Sequence, residues 1–408
     1  MSARPAQRGG TRRGRQDPAP VRGPVDRHLR ACVLVLVLFG LVMVYSASSA
    51  LSMEHFGTST AYFTSQLSKA VLGLVLMFVV ARIDYRIWAR LSKPMLWASL
   101  ALLFALIAPL PERFTPEING ANRWFAVPGF TFQPIELAKL ALIVWLAATI
   151  ARKDARLDDA WGGLAPLLVP PMLMAGMAVL QPDFKGASVL VMLTGAMLWL
   201  GAVRAKFLIR MAAAGIPLGI LVMVLEPYRM ERVRTFLDRG EDLQGISYQI
   251  NQSLISLGSG GWFGVGLSSS KQKFQFLPMA HTDFIASIVG EELGLLGTML
   301  LLGAFLYLGA LGYRAARRAP DAFGFLLASG ITTMVLLSAL LNLGVATASL
   351  PTTGLPLPFI SYGGTALIVQ LAGMGIVMSV SRDSVPAPRR RESRARALFR
   401  KRAWGDAA

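Results

Sequence analysis

The residues most suited to chemistry lie in the segment 271–292, which reads KQKFQFLPMAHTDFIASIVGEE. Asp283 stands where a polar, basic loop runs into an apolar helix, directly after His281 and Thr282. An ionisable side chain at a membrane boundary is costly to keep there, so it is a functional candidate by default. The alternative is that Asp283 only caps the helix, a role that Asp fills well. The residue types alone leave both interpretations open.

Several cations precede Asp283 in the same loop, which we place at residues 226–282. The four of interest are Arg232, Arg234, Lys271 and Lys273. They are either ordinary solvated charges or ligands of an anionic substrate such as a phosphate-bearing lipid. We favour the second interpretation because the cations and the carboxylate share one loop.

A second pair of opposite charges occurs in the segment QPIELAK, residues 133–139. Glu136 and Lys139 are three residues apart, a spacing that places them on one helical face and allows an ion pair. Pro134 suits the start of that helix. Charges near a membrane must face protein or a water-filled cavity. The pair is therefore either a structural device that orients the helix or part of a substrate cavity.

Three further segments have compositions typical of a membrane-interface anchor, a glycine-rich turn or a non-helical membrane element. Arg123 and Trp124 follow NGAN, residues 119–122, and Trp is typical of membrane interfaces. The stretch 258–264 is rich in glycine, which permits turns with positive φ, but it lacks the spacing and Lys of a P-loop. The stretch 350–359, followed by Ser361, is rich in Pro and Gly and predicts a non-helical re-entrant element, which membranes tolerate only when protein surrounds it.

The composition indicates which elements must position these residues. The chain has 408 residues, 54% of them hydrophobic, and a mean hydropathy of +0.52, which is typical of a polytopic membrane protein. The net charge of +18 resides mainly in the tails and short loops, so nucleic-acid binding is a weak alternative. One cysteine, Cys32, excludes an intramolecular disulfide, and the three scattered histidines show no metal cluster.

We predict an all-α membrane domain over residues 31–382, between basic cytoplasmic tails at 1–30 and 383–408. Ten apolar runs have the ~17–25 residues that a bilayer crossing requires. They are residues 31–47, 66–82, 95–110, 135–151, 164–180, 186–203, 207–225, 283–313, 323–345 and 360–381. The run 283–313 is too long for one crossing, so we expect it to project beyond the bilayer or to tilt.

The distribution of basic residues orients these spans. With the N-terminus in the cytoplasm, the cytoplasmic loops carry Arg86, Lys93, Arg204 and Arg314, whereas the first and last outer loops carry no Lys or Arg. The positive-inside rule therefore favours ten spans with both termini in the cytoplasm. Asp283, Arg123 and the Pro/Gly-rich segment then lie on the same, outer side.

Taken together, the motifs resemble the SEDS family (shape, elongation, division and sporulation) of peptidoglycan glycosyltransferases. The similar segments are NGANRWF, QPIELAKLAL, QPDFKGAS, GSGGWFGVGL, LPMAHTDFIASIVGEELGLLG and LPTTGLPLPFISYGGTALI, which occur in family order between residues 119 and 382. The chain is more similar to the division branch than to the elongation branch. It departs from the family pattern at Met279, where Glu is common, and at Lys185–Gly186, where Gly-Thr is common.

The resemblance implies a fold of ten transmembrane helices with a large extracytoplasmic loop between helices 7 and 8. It implies polymerisation of lipid II into β-1,4-linked glycan on the outer face of the bacterial cytoplasmic membrane, at the septum for a division-type member. Asp283 matches the family's essential aspartate, implied to deprotonate or orient the acceptor hydroxyl. We expect the four loop cations to hold the leaving pyrophosphate, with a divalent cation such as Mg²⁺ or Mn²⁺ assisting. The substrate site is expected to include Arg123, Trp124, Glu136, Lys139, His281, Thr282 and Ser361.

Two other functions compete with the glycosyltransferase. Ten spans with buried charges and broken helices would also suit a lipid II flippase or transporter, and the third interpretation is a scaffold that only recruits partners. An elongation-type polymerase remains an alternative within the family. The resemblance further implies a complex with a class B penicillin-binding transpeptidase, together with other division proteins.

Overall fold

The computed structural model describes residues 23–383, apart from 109, 118–119, 128–129, 153–156, 158, 227–229, 231–245 and 275. Residues 1–22 and 384–408 of the two predicted tails therefore lie outside the described residues, and the first helix begins inside the N-terminal one, at Arg27. Within the described residues the protein is a bundle of helices with one small antiparallel β-hairpin. The helices are α1 (Arg27–Phe56), α2 (Ala61–Arg82), α3 (Arg86–Ala105), α4 (Pro134–Ile150), α5 (Ala165–Leu180), α6 (Phe184–Leu200), α7 (Ala205–Val224), α8 (Ile246–Ser259), α9 (Ile285–Arg317), α10 (Ala322–Ala346) and α11 (Gly364–Arg382).

The hairpin precedes α4 and consists of β1 (Phe125–Val127) and β2 (Phe130–Phe132). Its register pairs Phe125 with Phe132. A π-helical turn (Ala160–Leu164) leads into α5.

Each of the ten predicted spans coincides with a helix, so the all-α fold class is confirmed. Seven helices of the described chain are long and apolar enough to cross a membrane, namely α1, α2, α5 with the end of its preceding turn, α7, α9, α10 and α11. The helix α6 is apolar but shorter. The predicted large loop also contains α8, a helix that no apolar run marks.

Close backbone contact holds the centre of the bundle together. The helix α11 packs along α2, where a Cβ on Gly375 would lie 2.5 Å from the carbonyl oxygen of Met77. The helices α4 and α10 are buried along most of their length and also pack on each other. Burial on all sides explains why their sequences are apolar throughout rather than amphipathic.

The long run 283–313 contains a break in its helix, and its predicted tilt or projection beyond the bilayer stays a prediction. The helix α9 is interrupted at Gly294, which has φ +69 and ψ −168. The glycine-rich stretch after α8 lies against this break, and the two segments exchange backbone hydrogen bonds on both sides of it, from Val265 N to Glu291 O and from Leu295 N to Gly261 O. The excess length is therefore divided between two helical pieces, and the neighbouring loop pairs with the freed backbone groups.

The charged residues predicted to be cytoplasmic meet at one end of the bundle. Arg86 contacts Asp383 at 3.0 Å and Asp321 at 3.5 Å, and Arg314 contacts Asp26 at 2.6 Å. The side chain of Asp26 also accepts hydrogen bonds from the first backbone N–H groups of α1. This network ties the starts of α1, α3 and α10 to the ends of α9 and α11, opposite the end where Asp283 lies.

Candidate active site

Asp283 stands in a tight turn immediately before α9. The N–H groups of Thr282, Asp283 and Phe284 all point to the carbonyl oxygen of Met279, at 3.1, 3.1 and 3.4 Å. Met279 itself has φ +54, an uncommon conformation for a non-glycine residue. The N-cap position belongs to Phe284, one residue after Asp283. Its carboxylate is half-buried at the junction, where it can meet a substrate.

The Pro/Gly-rich segment is non-helical, as predicted, and it penetrates the bundle. Leu355, Leu357, Phe359 and Ile360 are all buried. The backbone of Phe359 reaches the middle of α1, where a side chain on Gly40 would overlap its carbonyl oxygen. This segment, which we define as residues 350–363 and call the re-entrant loop, is surrounded by protein as such backbone must be.

Ser361 connects the re-entrant loop to the turn that carries Asp283. Its hydroxyl donates to the carbonyl oxygen of Thr282 at 2.6 Å and accepts from the N–H of Leu357 at 2.8 Å. The N–H of Tyr362 donates to the carbonyl oxygen of His281 at 2.9 Å. Through these hydrogen bonds the buried Ser361 holds the re-entrant loop against the turn. Its predicted contact with substrate stays a prediction.

Asn342 provides a second connection, which the sequence did not single out. It is a buried polar residue inside the apolar helix α10. Its amide nitrogen donates to the carbonyl oxygens of Asp283 at 2.8 Å and of Leu355 at 2.7 Å. Because these are backbone acceptors, Asn342 fixes the position of Asp283 relative to the re-entrant loop. The sequence signal that could have identified Asn342 is an amide side chain in an otherwise hydrophobic helix.

Lys185 places a cation beside the re-entrant loop. In the sequence, Lys185 is notable only as a departure from the family pattern. Its Nζ donates to the carbonyl oxygen of Gly354 at 2.5 Å. A Cβ built on Gly354 would lie 3.4 Å from that nitrogen and 3.1 Å from Oδ2 of Asp283. The ammonium and the carboxylate therefore lie beside the same glycine.

Arg123 lies at the same end of the bundle as Asp283 and the re-entrant loop. Its guanidinium donates to the carbonyl oxygens of Gln181 at 3.2 Å and of Pro182 at 2.5 Å. These two residues form the short connection between α5 and α6, so Arg123 buttresses the approach to Lys185. Trp124 is half-buried next to β1. Direct contact of either residue with substrate stays a prediction.

The predicted loop cations divide into three groups. Arg232 and Arg234 lie outside the described residues. Lys271 is exposed and remains available to an anionic ligand. Lys273 is buried, and its ammonium donates to the carbonyl oxygen of Ser268 at 2.5 Å and lies 3.8 Å from Glu292. Contact between Lys273 and a substrate would require that arrangement to open.

Glu136 and Lys139 form the ion pair that their spacing predicted, with 2.7 Å between Lys139 Nζ and Glu136 Oε1. Their side chains are only 6% and 4% exposed, so the pair is enclosed by the bundle in this structure. A structural role is what this arrangement supports directly, and a place in the substrate cavity stays a prediction.

His281 is buried in an aromatic cluster. Its ring centroid lies 4.9 Å from that of Tyr62 and 5.7 Å from that of Tyr362. Burial lowers the pKa of His281 to about 4, so the imidazole is neutral at physiological pH. Lys69, another cation not singled out by sequence, lies 3.3 Å from the Tyr362 hydroxyl and 4.8 Å from its ring centroid.

No group of three or more His, Cys, Asp or Glu side chains within the described ranges could hold a metal ion. The site consists of the Asp283 carboxylate, the Lys185 ammonium and the re-entrant loop. The loop hydrogen-bonds to Lys185 and to the turn that carries Asp283. A carboxylate in this position can accept a proton from a hydroxyl group, and nearby cations can stabilise a departing anion.

Comparison with known proteins identifies the family. The family of FtsW, RodA and SpoVE, described as "Cell cycle protein", matches residues 26–385. The chain belongs to this family. The FtsW/RodA/SpoVE match covers α1 to α11 and both segments that form the site.

Individual relatives agree with that assignment. The chain is 39% identical to the probable peptidoglycan glycosyltransferase FtsW of Trichlorobacter lovleyi over 89% of its own length and 94% of the relative's. It is 40% identical to the protein of the same name from Geobacter metallireducens, over 85% and 92% of the two chains.

Among solved structures, a chain of a peptidoglycan synthase complex that coordinates polymerisation and crosslinking has a TM-score of 0.73, at 32% identity and covering 88% of this chain and 98% of that one. The Thermus thermophilus rod shape determining protein RodA has a TM-score of 0.65, at 28% identity and covering 89% and 98%. The protein is thus a multi-pass membrane protein with the fold of this family.

Proposed function

We propose that the protein is a peptidoglycan glycosyltransferase that polymerises lipid II into β-1,4-linked glycan strands, for septal synthesis during cell division. The relatives named as FtsW support the activity and the division role. The observation that carries the chemistry is the position of Asp283, half-buried in the turn before α9, next to Lys185 and the re-entrant loop.

In the proposed reaction Asp283 accepts the proton of an acceptor sugar hydroxyl. The oxygen then forms a bond with the anomeric carbon of the donor sugar while the bond from that carbon to the lipid pyrophosphate breaks. The proton resides on Asp283 until it passes to water. General-base catalysis of this kind contributes ~10²–10⁴-fold to a rate.

The departing pyrophosphate requires cations to stabilise its charge. Lys271 is exposed in the loop before Asp283, and we include it in this role together with Arg232 and Arg234. A divalent cation would enter the site with the pyrophosphate of the substrate.

We further propose that both termini are cytoplasmic, so that the site faces the outer leaflet where lipid II is presented. A class B penicillin-binding transpeptidase is the proposed partner, because a glycan polymerase yields strands that need crosslinking. The similarity to a chain of a peptidoglycan synthase complex supports such an assembly. Further division proteins would regulate it at the septum.

The decisive experiment is polymerisation of lipid II by the purified protein in detergent, where sidedness and therefore transport have no meaning. We expect glycan product from the wild type and a loss of at least about a hundredfold in Asp283→Asn, following the contribution of a general base. Glu112→Gln, which neutralises an exposed carboxylate elsewhere, is the matched control and should polymerise normally. Undiminished product from Asp283→Asn would remove Asp283 from the mechanism, and no product from the wild type would favour the flippase.

A further inference from the structure

Lys185 is the charged group that the sequence resemblance does not account for, and it lies in the site. It is the second residue of α6 and is half-buried. Its Nζ donates to the Gly354 carbonyl oxygen at 2.5 Å. The same glycine lies against both groups, since a Cβ there would be 3.4 Å from Nζ of Lys185 and 3.1 Å from Oδ2 of Asp283.

The position of Lys185 in its helix is unfavourable unless an anion compensates it. The N-terminal turn of a helix carries a partial positive charge, which favours acidic side chains and disfavours basic ones. Asp183 is the N-cap of α6, and one of its carboxylate oxygens accepts a hydrogen bond from the N–H of Gly186 at 3.0 Å. The carboxylate of Asp283 is the anion that lies with the ammonium beside Gly354.

The backbone that leads into Lys185 is held in place by contacts of the connection before α6. Arg123 holds the carbonyl oxygens of Gln181 and Pro182 in the preceding connection. The amide of Gln181 donates to the carbonyl oxygen of Leu103 at 2.7 Å, which ties the same connection to α3. An ammonium has three donors, and the Gly354 carbonyl takes one of them.

The other titratable groups around the site have partners of their own. His281, two residues before Asp283, packs between Tyr62 and Tyr362. Lys69 of α2 contacts the hydroxyl and the ring of Tyr362. On α4, Glu136 and Lys139 are paired with each other. Of these charged groups, Lys185 is the one that lies beside Gly354 together with the Asp283 carboxylate.

We propose that Lys185 is a positioning residue for the reaction: anchored on the Gly354 carbonyl, its ammonium holds the Asp283 carboxylate ionised and in a fixed orientation beside the re-entrant loop. The inference rests on the proposed role of Asp283 as the base. It gives the re-entrant loop a function as well, because Gly354 provides the carbonyl that anchors the ammonium and leaves the space in which both groups meet.

The test is the pH dependence of kcat/KM for lipid II polymerisation in three variants of the full chain. Lys185→Met removes the charge and the hydrogen bond, Lys185→Gln removes the charge but keeps a donor, and Lys185→Arg keeps both. An opposite charge within ~4–6 Å lowers the pKa of a carboxyl by 1–3 units. We therefore expect the acidic limb of the profile to move to higher pH by about one unit or more in the Met and Gln variants, and to stay near the wild-type value in the Arg variant.

Lys93→Met is the matched control, because Lys93 is exposed in α3 and lies outside the site; its profile should coincide with that of the wild type. Thermal unfolding of each purified variant separates misfolding from a change in the site. If the Met variant does not fold, the comparison of Gln with Arg carries the test alone.

Two results would overturn the inference. A uniform loss of rate in the Met variant, with wild-type rate in the Gln variant and no movement of the acidic limb in either, would show that Lys185 only anchors the re-entrant loop. Wild-type profiles in all three variants would show that Lys185 has no role. Both results leave the proposed function intact as long as Asp283→Asn is inactive, whereas an active Asp283→Asn variant defeats the proposed function itself.

Discussion

Replacing Gly354 by Ala probes the arrangement of the site with a single methyl group. Gly354 has φ +69, and a Cβ there would stand 3.1 Å from Oδ2 of Asp283 and 3.4 Å from Nζ of Lys185. Gly57, which follows the end of α1, also has φ +69, but nothing lies within 4 Å of its Cβ position. The two glycines thus share a backbone conformation and differ in their surroundings, so Gly57→Ala is the matched control.

The expected magnitudes follow from this difference. Alanine in the left-handed region costs roughly 1–2 kcal/mol at either position. At Gly354 the carboxylate oxygen, at 3.1 Å from the new Cβ, must in addition yield by a few tenths of an ångström, whereas the ammonium at 3.4 Å is close to ordinary contact. A misplacement of ~1 Å in an active site can cost ~10²-fold in rate, so a few tenths should cost about tenfold.

The assay compares lipid II polymerisation rates and thermal unfolding of the two variants with those of the wild type. We expect similar losses of melting temperature in both and a rate loss of about tenfold in Gly354→Ala alone. Equal rates in Gly354→Ala and Gly57→Ala would refute the reasoning, because they would show that the space beside Gly354 is not used to position reacting groups.

Three further predictions concern the supports of the site. Asn342→Leu leaves the buried carbonyl oxygen of Asp283 without its donor, so we expect destabilisation of about 1–3 kcal/mol in a denaturation measurement and a lower rate. Gly264→Ala places a Cβ into the backbone of Glu292 at φ +81, and we expect little folded protein after purification. Burial lowers the pKa of His281 to about 4, below its unfolded value of ~6.5, so its contribution to stability is present above pH ~6.5 and is lost as the pH falls towards 4. A plot of melting temperature against pH should therefore decline over this interval, and decline less in His281→Phe.

The positions of the helices could be predicted because a bilayer imposes long apolar runs. The ends of the helices were less predictable where a helix continues beyond its apolar run. The first predicted span ended at residue 47, whereas α1 continues through polar residues to Phe56 and stops at Gly57 in the left-handed conformation. The amphipathic helix α8 was missed because it lies outside any apolar run, and its buried Ser253 and Ser256 hydrogen-bond to α9.

The site was predictable only in part, for a different physical reason. Asp283 could be found because a carboxylate at the start of an apolar helix is conspicuous in the sequence. Its neighbours Lys185, Asn342 and Gly354 come from separate segments of the chain, and only the packed bundle brings them together. Local spacing predicted the Glu136–Lys139 pair because those residues share one helix, and it gave no information about contacts between helices.

The three carboxylates of the segment 283–292 show why geometry, rather than residue type, selects Asp283. Glu291 is buried and accepts from Ser270 at 2.5 Å and from the N–H of Lys271 at 2.9 Å. Glu292 is fully buried and accepts from Ser46 of α1 at 2.6 and 2.8 Å, with the ammonium of Lys273 nearby.

These two glutamates are saturated by fixed donors of the protein, so they fasten the loop before Asp283 to α9 and α1 and have no path to a substrate in this structure. Removing either donor set would leave a buried carboxylate without its hydrogen bonds, which typically costs at least about 1–3 kcal/mol. Asp283 alone of the three is half-exposed, and it lies with the ammonium of Lys185 beside Gly354. A base must exchange its proton with a substrate during each turnover, and only a carboxylate in the position of Asp283 can do so without dismantling the fold.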